Sequence, residues 1–276
     1  YNPDSFQRNL FLEAELVNEQ DLFFQVIQPG RNGVNSTIFA GSSALLRRSA
    51  LDHIGGLQVV SAIEDMHTGM ELQARGYRGI YYDRILSGAL SPESFRGYML
   101  QRDRWTRGGI QLFVLDNPLW KLGLSIPQRL HYLASLLYFF HAWPRLVYLF
   151  APLSFLIFSF NPIVAKPIVL VMYFLPHYLL AHITFGFISR EYRHPFWSDV
   201  YETASAFMLG KTIFATLFSP HRLIFKVTPK GREAQNSGTA ERIRWHEVLP
   251  HMVLLGLLIA GIIVATYRMA TTGMRV

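Results

Sequence analysis

The chain has 276 residues, a formal charge of +7 and no cysteine, which excludes a disulfide framework and any cysteine-held metal. Half of the residues are hydrophobic and the mean hydropathy is +0.19, more apolar than an ordinary soluble domain. The apolarity is uneven: residues 1–125 are mixed and charged, whereas 130–190 and 248–267 are largely apolar, as expected of a soluble part joined to a membrane part.

Tyr1-Asn2-Pro3-Asp4 opens without an initiator methionine, so further chain is expected before it. Asp4 with Gln7 has capping-box spacing, and Phe6, Leu10, Val17, Phe24 and Ile27 mark a helical stripe expected to stop at Pro29-Gly30. Ser36 to Arg47 reads as a strand broken at Gly41-Ser42-Ser43, and Ser49 as the cap of a short helix ending at Gly55-Gly56. A third helix is expected between the capping pair Ser61 and Glu64 and the stop at Gly76, followed by an aromatic strand over Tyr77 to Asp83. Alternating helices and strands of this kind predict an α/β first domain. A long helix then covers Pro92 to Leu115.

Past Pro118 the membrane part begins. Gln128 to Phe160 has the length of one long, tilted, proline-bent span, and Ile168 to Ile188 of a second, closed by Arg190 and Arg193 on the cytoplasmic side. Basic residues gather at such flanks, so the positive charge points to a bilayer rather than to nucleic acid. His177 and His182 inside the second span are expected to face protein or a wet channel. Tyr138, Phe139, Phe140, Trp143, Tyr148 and Phe150 are either interface and packing aromatics or platforms for sugar rings. Phe196, Val200, Ala204, Phe207, Phe214 and Phe218 form a stripe interrupted by Asp199, Glu202, Ser205 and Lys211, which predicts an interfacial amphipathic helix. A polar segment over 220–244 precedes a third span, Val248 to Tyr267.

Two stretches carry chemistry. On the Pro92 to Leu115 helix, Gln101, Arg104 and Trp105 stand at i, i+3 and i+4, so an amide, a guanidinium and an indole share a face. Planar N–H donors suit phosphate oxygens, and an indole is a flat surface for a sugar ring, although an amphipathic helix with a basic face has the same spacing. Asp65, beside Glu64, falls in the first turn of its helix, where the macrodipole favours a carboxylate. There it is either a proton acceptor for an attacking hydroxyl or an acid that only stabilises the helix start. His53 and His67 have no ligand partners at a useful spacing and read as structural.

Taken in order, Ile63-Glu64-Asp65, Gln101-Arg102-Asp103-Arg104-Trp105 and Phe225-Lys226-Val227-Thr228-Pro229-Lys230-Gly231 resemble three motifs of the processive, membrane-bound glycosyltransferases of family 2. The third motif points, within that family, to the bacterial cellulose-synthase type. Asn2 to Leu10 and Phe39-Ala40-Gly41-Ser42-Ser43 also resemble family segments. The resemblance implies a partial glycosyltransferase-A domain of α/β class over 1–124, two transmembrane helices over 125–190, and an amphipathic interfacial helix over 191–219. A gating loop and linker over 220–244 and a transmembrane helix over 245–276 complete the expected division.

It further implies that Asp65 is the general base and that Glu64, Gln101, Arg102, Arg104 and Trp105 bind substrate, Gln101 and Arg104 at the diphosphate and Trp105 under the growing glucan. Phe225, Val227, Thr228 and Lys230 would close over the nucleotide. The implied substrates are UDP-glucose and a growing glucan, with the bilayer and an accessory subunit as partners and the bacterial inner membrane as location. The family's Mg²⁺ is held by an Asp-x-Asp that occurs nowhere in this sequence, so its ligands are expected upstream, and cyclic-di-GMP is expected to activate through a domain beyond Val276. Such a chain is expected to be inactive alone. Ile63 replaces the usual Thr and Ala40 a frequent Cys, which leaves a β-1,3-glucan open beside cellulose. A non-catalytic conduit with a degenerate transferase domain is the reading from another class.

Overall fold

The computed structural model describes residues 19–88, 90–92, 94–160, 165–190, 192, 195–222 and 245–272. An irregular helical segment comes first: an α-turn Glu19–Leu22, a π-turn Phe23–Ile27, an α-turn Gln28–Arg31 and a 3-10 turn Asn32–Val34. It runs through Pro29-Gly30 rather than stopping there. The π-turn widens the helix just before Pro29, where the missing N–H would break a regular ladder.

Eight helices follow in the described residues: α1 (Arg48–His53), α2 (Glu64–Ala74), α3 (Phe95–Leu115), α4 (Ile126–Tyr138), α5 (Ala142–Phe158), α6 (Pro167–Ser189), α7 (Pro195–Phe218) and α8 (Trp245–Thr272). The α1 cap is Arg47 rather than Ser49, and the α2 cap is Ile63, not a Ser61–Glu64 box. Ser61 is buried with its hydroxyl unpartnered, and the Asp65 carboxylate accepts from the Met66 N–H at 2.7 Å instead. The α2 end at Gly76 is as expected, with Gly76 and Tyr77 N–H groups closing back on Gln73 and Leu72.

The two expected strands are a correction: no strand forms among the described residues. Over 35–38 and 77–81, side-chain amides take up the backbone groups that a ladder would. Asn32 Nδ2 donates to Tyr81 O at 2.8 Å while its Oδ1 accepts from Tyr81 N at 2.7 Å, and Asn35 does the same between Tyr77 and Gly79. Gln28 brackets Ile38 through both its amide atoms, at 2.6 and 2.9 Å, and Gln73 and Gln128 donate to Thr37 O and Asn35 O. An amide side chain presents one donor and one acceptor side by side, as a neighbouring strand would.

The packed centre is α3. Ile63, Met66 and Met70 from the α2 region, Leu112 of α3, Leu124, and Tyr132 and Leu136 of α4 form one buried cluster, with Trp105, Phe113 and Phe139 against it. On its other side α3 meets α7 through Tyr98, Met99 and Tyr201, and both α5 and α7 through Ile110, Ala142, Leu209 and Ile213. In turn α8 lies on α5, where Arg268 donates to Ile157 O and Ser159 Oγ, each at 2.9 Å, and on α7, where His251 Nε2 is 3.0 Å from Thr203 O.

Ile168–Ser189 and Glu247–Thr271 are long and apolar enough to cross a membrane, and α4 with α5 would make a third span bent by 46°. The bend falls over 139–141, before Pro144, whose ring opposes the carbonyl of residue 140. His177 and His182 are exposed on α6, so neither packs on protein among the described residues, and His182 Nδ1 is 2.9 Å from its own helix's Tyr178 O. Of the aromatics considered as sugar platforms, Phe139 lies on the backbone of Gly109 and Phe140 on Phe113, whereas Tyr148 is 75% exposed.

Candidate active site

The site lies where the first turn of α2 meets the middle of α3. Ala62 and Ile63 are buried, and Gly108 of α3 lies so close that a Cβ there would stand 2.7 Å from Ile63 N and 2.9 Å from Ala62 C. That approach requires a glycine and brings the α3 surface one turn earlier, Arg104 and Trp105, beside the acid pair. Ile63, where the resemblance expected Thr, is part of the apolar core.

Asp65 is half-buried. Burial raises its pKa above the ordinary carboxylate value, and the neighbouring Glu64 charge adds to this. The Met66 N–H, and more weakly the Arg104 charge, pull it back. Burial prevails, leaving a carboxylate more basic than one in water. From the opposite side Gly41, with φ of +77°, covers it: a Cβ at that position would be 2.7 Å from Asp65 Oδ2. In sequence Gly41 stands as a strand break at Gly41-Ser42-Ser43 and within Phe39-Ala40-Gly41-Ser42-Ser43, and only the fold brings it against the acid.

Gln101 is buried, and Arg104 and Trp105 are half-buried. Trp105 packs on the cluster that contains Ile63 and Met66, the two residues flanking Glu64-Asp65. The guanidinium of Arg102 lies 5.0 Å from the ring centres of both Tyr98 and Trp105, so the indole carries a cation beside it. Asp103 turns the other way: it accepts from the Thr212 hydroxyl of α7 and pairs with Arg107. Within this stretch Arg104 and Trp105 serve the acid pair, whereas Asp103 binds α7. Phe225, Val227, Thr228 and Lys230 lie outside the described residues.

Next to the site, His67 is 4% exposed and lies 2.9 Å from Asp116 at the end of α3. Lys121 bridges Asp116, at 2.7 Å, and Glu71. The structural expectation for His67 therefore has a partner, one that residue spacing had not named.

Residues 17–217 match the family model for glycosyl transferase family group 2. The chain belongs to this family. It is 42% identical over 231 residues to cellulose synthase 1 of Komagataeibacter xylinus, covering 84% of this chain and 15% of that protein. It is 36% identical over 269 residues to the UDP-forming cellulose synthase catalytic subunit of Komagataeibacter sucrofermentans, covering 98% of this chain and 35% of the relative. Identity to the corresponding subunit of Pseudomonas fluorescens is 37% over 264 residues, or 95% of this chain and 35% of the relative. The chain thus spans between 15% and 35% of the length of these curated relatives. Among the described residues no group of three or more His, Cys, Asp or Glu side chains converges to hold a metal ion.

Proposed function

We propose that the chain is part of a processive, inverting β-glucan synthase of the inner membrane that transfers glucose from UDP-glucose to a growing cellulose chain and moves the product across the bilayer. The observation that carries this reading is a half-buried carboxylate, Asp65, made more basic by burial and facing the α3 stretch that bears Gln101, Arg104 and Trp105. The names of the relatives supply the substrate class.

On this reading Asp65 accepts the proton of the terminal glucan hydroxyl as that oxygen attacks the anomeric carbon of the donor. The bond from that carbon to the UDP oxygen breaks on the opposite face, and UDP leaves with both bonding electrons. Gln101 and Arg104 hold the diphosphate, since N–H donors grip charged oxygens most strongly, and the Arg104 charge weakly favours the ionised form of Asp65. Glu64 keeps the local field negative, Arg102 stays against Trp105, and the indole supports the acceptor sugar. Phe225, Val227, Thr228 and Lys230 cover the nucleotide and offset its charge. The Asp-x-Asp that would bind Mg²⁺ occurs nowhere in this sequence. Mg²⁺ and cyclic-di-GMP act on this reading through other parts of the complete protein.

The test is Asp65→Asn in the complete protein, with UDP-glucose as donor. Polymer formation falls by about a hundred- to ten-thousand-fold while UDP binding is kept, because a base is removed and no phosphate contact is lost. Near-normal synthesis by this variant would falsify the assignment.

A further inference from the structure

The carboxamide of Gln111 joins three parts of the chain that lie far apart in sequence. Gln111 stands on α3, one turn beyond Gly108, and its side chain is fully buried. Its Oε1 accepts from the Ala62 N–H at 3.0 Å. Its Nε2 donates to the carbonyls of Pro220 at 2.9 Å and Arg222 at 3.3 Å, in the turn that leaves α7. That turn is itself closed by the Arg222 N–H on Ser219 O at 3.2 Å. One neutral side chain therefore fixes the peptide three residues before Asp65 and the exit of α7 on the same rigid helix.

We propose that Gln111 is a positioning residue for transfer: it sets where the Ala62-to-Asp65 turn stands relative to α3 and to the segment leaving α7. This rests on Asp65 acting as the base. Three features carry the proposal. The Ala62 N–H comes just before the first turn of α2, so no helical carbonyl serves it, and the amide of Gln111 does so instead. Ile63, the next residue, is pressed against Gly108, so the turn cannot find another donor–acceptor pair without leaving α3. Both ends of the carboxamide are engaged, one by an N–H and the other by two carbonyls, which fixes the amide's orientation and makes its two contacts interdependent. Among the described residues Gln111 touches no group placed in the chemistry, so its effect on the proton transfer runs through the position of Asp65.

The experiment compares Gln111→Leu, Gln111→Glu and Asp65→Asn in the complete membrane enzyme, measuring kcat, KM for UDP-glucose and inhibition by UDP. Gln111→Leu keeps the volume and loses every polar contact. Its kcat falls by about a hundredfold, the effect of a misplacement of roughly 1 Å at a reacting group. Its KM and UDP inhibition stay within about threefold of wild type, because a positioning loss appears in the chemical step rather than in ground-state binding. Gln111→Glu keeps an acceptor for the Ala62 N–H in either protonation state and loses about tenfold, between wild type and Gln111→Leu. Wild-type kcat in Gln111→Leu overturns the proposal, as does an equal loss in Gln111→Glu. If both Gln111 variants fail to accumulate in the membrane, or lose UDP binding in parallel with rate, Gln111 serves folding alone and the proposal also fails. Activity in Asp65→Asn defeats the base reading itself. An inactive Asp65→Asn beside an active Gln111→Leu removes only the role of Gln111.

Discussion

Substituting Gly41 by Ala separates the placement of Asp65 from the stability of the surrounding fold. Gly41 has φ of +77°, and the added Cβ would stand 2.7 Å from Asp65 Oδ2, whereas ordinary contact begins at 3.4 Å. The carboxylate or the 41–43 loop must therefore give way by the difference, 3.4 − 2.7 = 0.7 Å. Asp65 cannot easily absorb this, because its other oxygen is held by the Met66 N–H at 2.7 Å. A displacement approaching 1 Å at a reacting group costs on the order of a hundredfold in rate, so a fall in kcat of about ten- to a hundredfold is expected in the complete enzyme. The backbone adds about 1–2 kcal/mol of strain, since an L side chain is forced into the left-handed region. Gly55 provides the control: its φ is +80°, and a Cβ there meets nothing within 4 Å. Gly55→Ala carries the same kind of strain with no carboxylate in reach, and leaves the rate per folded enzyme unchanged. The assay is incorporation of labelled glucose from UDP-glucose into insoluble polymer by membrane vesicles, normalised to enzyme present, with thermal unfolding recorded alongside. Equal rates for the two variants would show that the contact between Gly41 and Asp65 has no part in transfer.

Three further outcomes are expected. Burial raises the Asp65 pKa, so the folded chain prefers its neutral form; that contribution to stability is present below the ordinary Asp value of about 3.9 and is lost as pH rises through the raised value. Asp65→Asn should therefore raise the unfolding temperature at neutral pH while abolishing synthesis, and wild-type synthesis should fade as pH drops through a point above the ordinary Asp value. Lys121→Met removes the shared partner of Glu71 and Asp116. Burial raises both acids, but hydrogen bonds from Lys121, with those from Arg75 and His67 respectively, outweigh it and hold them low. The loss in stability should lie between ~0.5 kcal/mol for an exposed pair and ~3–5 kcal/mol for a buried one, and should shrink in acid as the carboxylates protonate; a variant as stable as wild type at pH 7 would refute the pairing. Finally, with Arg190 and Arg193 on the cytoplasmic side the turn before α6 faces outward, so in a cysteine-free background of the complete protein a cysteine at Asn161 should react with impermeant reagents from outside the cell only; labelling from the cytoplasmic side alone would reverse that orientation.

The helices were legible in the sequence because their signals are local. The α2 first turn carries its acids and ends at its glycine, and the apolar runs of α6 and α8 have the length of a span. What escaped depends on partners distant in sequence. The segments 35–38 and 77–81 have strand composition, yet their backbone partners are Gln28, Asn32, Asn35, Gln73 and Gln128, and nothing in residue spacing announces that an amide side chain will stand in for a ladder. The bend over 139–141 was expected only as a proline-bent span, with no position assigned to it. Asp65, Arg104 and Trp105 were legible as chemical types at helical spacing. Gly41 and Gln111 were not, because a glycine and a buried amide acquire meaning only from what they touch.

The orientation of α7 shows how the acid pair is tied to the membrane part. A helix of a soluble protein turns its large apolar residues inward, but α7 leaves three phenylalanines outside. Its buried face mixes the apolar Tyr201, Ala206, Leu209 and Ile213 with Ser198, Ser205, Gly210, Thr212 and Thr216, whereas Phe196, Phe214 and Phe218 are 60%, 60% and 74% exposed. Small and hydroxyl-bearing residues let α7 approach α3 closely, and their polar atoms find partners there and within the helix: Thr212 on Asp103, Ser205 on Tyr201 O, Thr216 on Thr212 O. The outward phenylalanines are left for an apolar surrounding, which a bilayer surface supplies and water does not. Asp103 and Arg104 are adjacent on α3, the first bound to α7 and the second acting on Asp65. On the proposed function α7 lies along the membrane surface, and its depth there fixes the height of the acid pair above it. On the proposed function this determines how far a newly added sugar must travel to enter the span region.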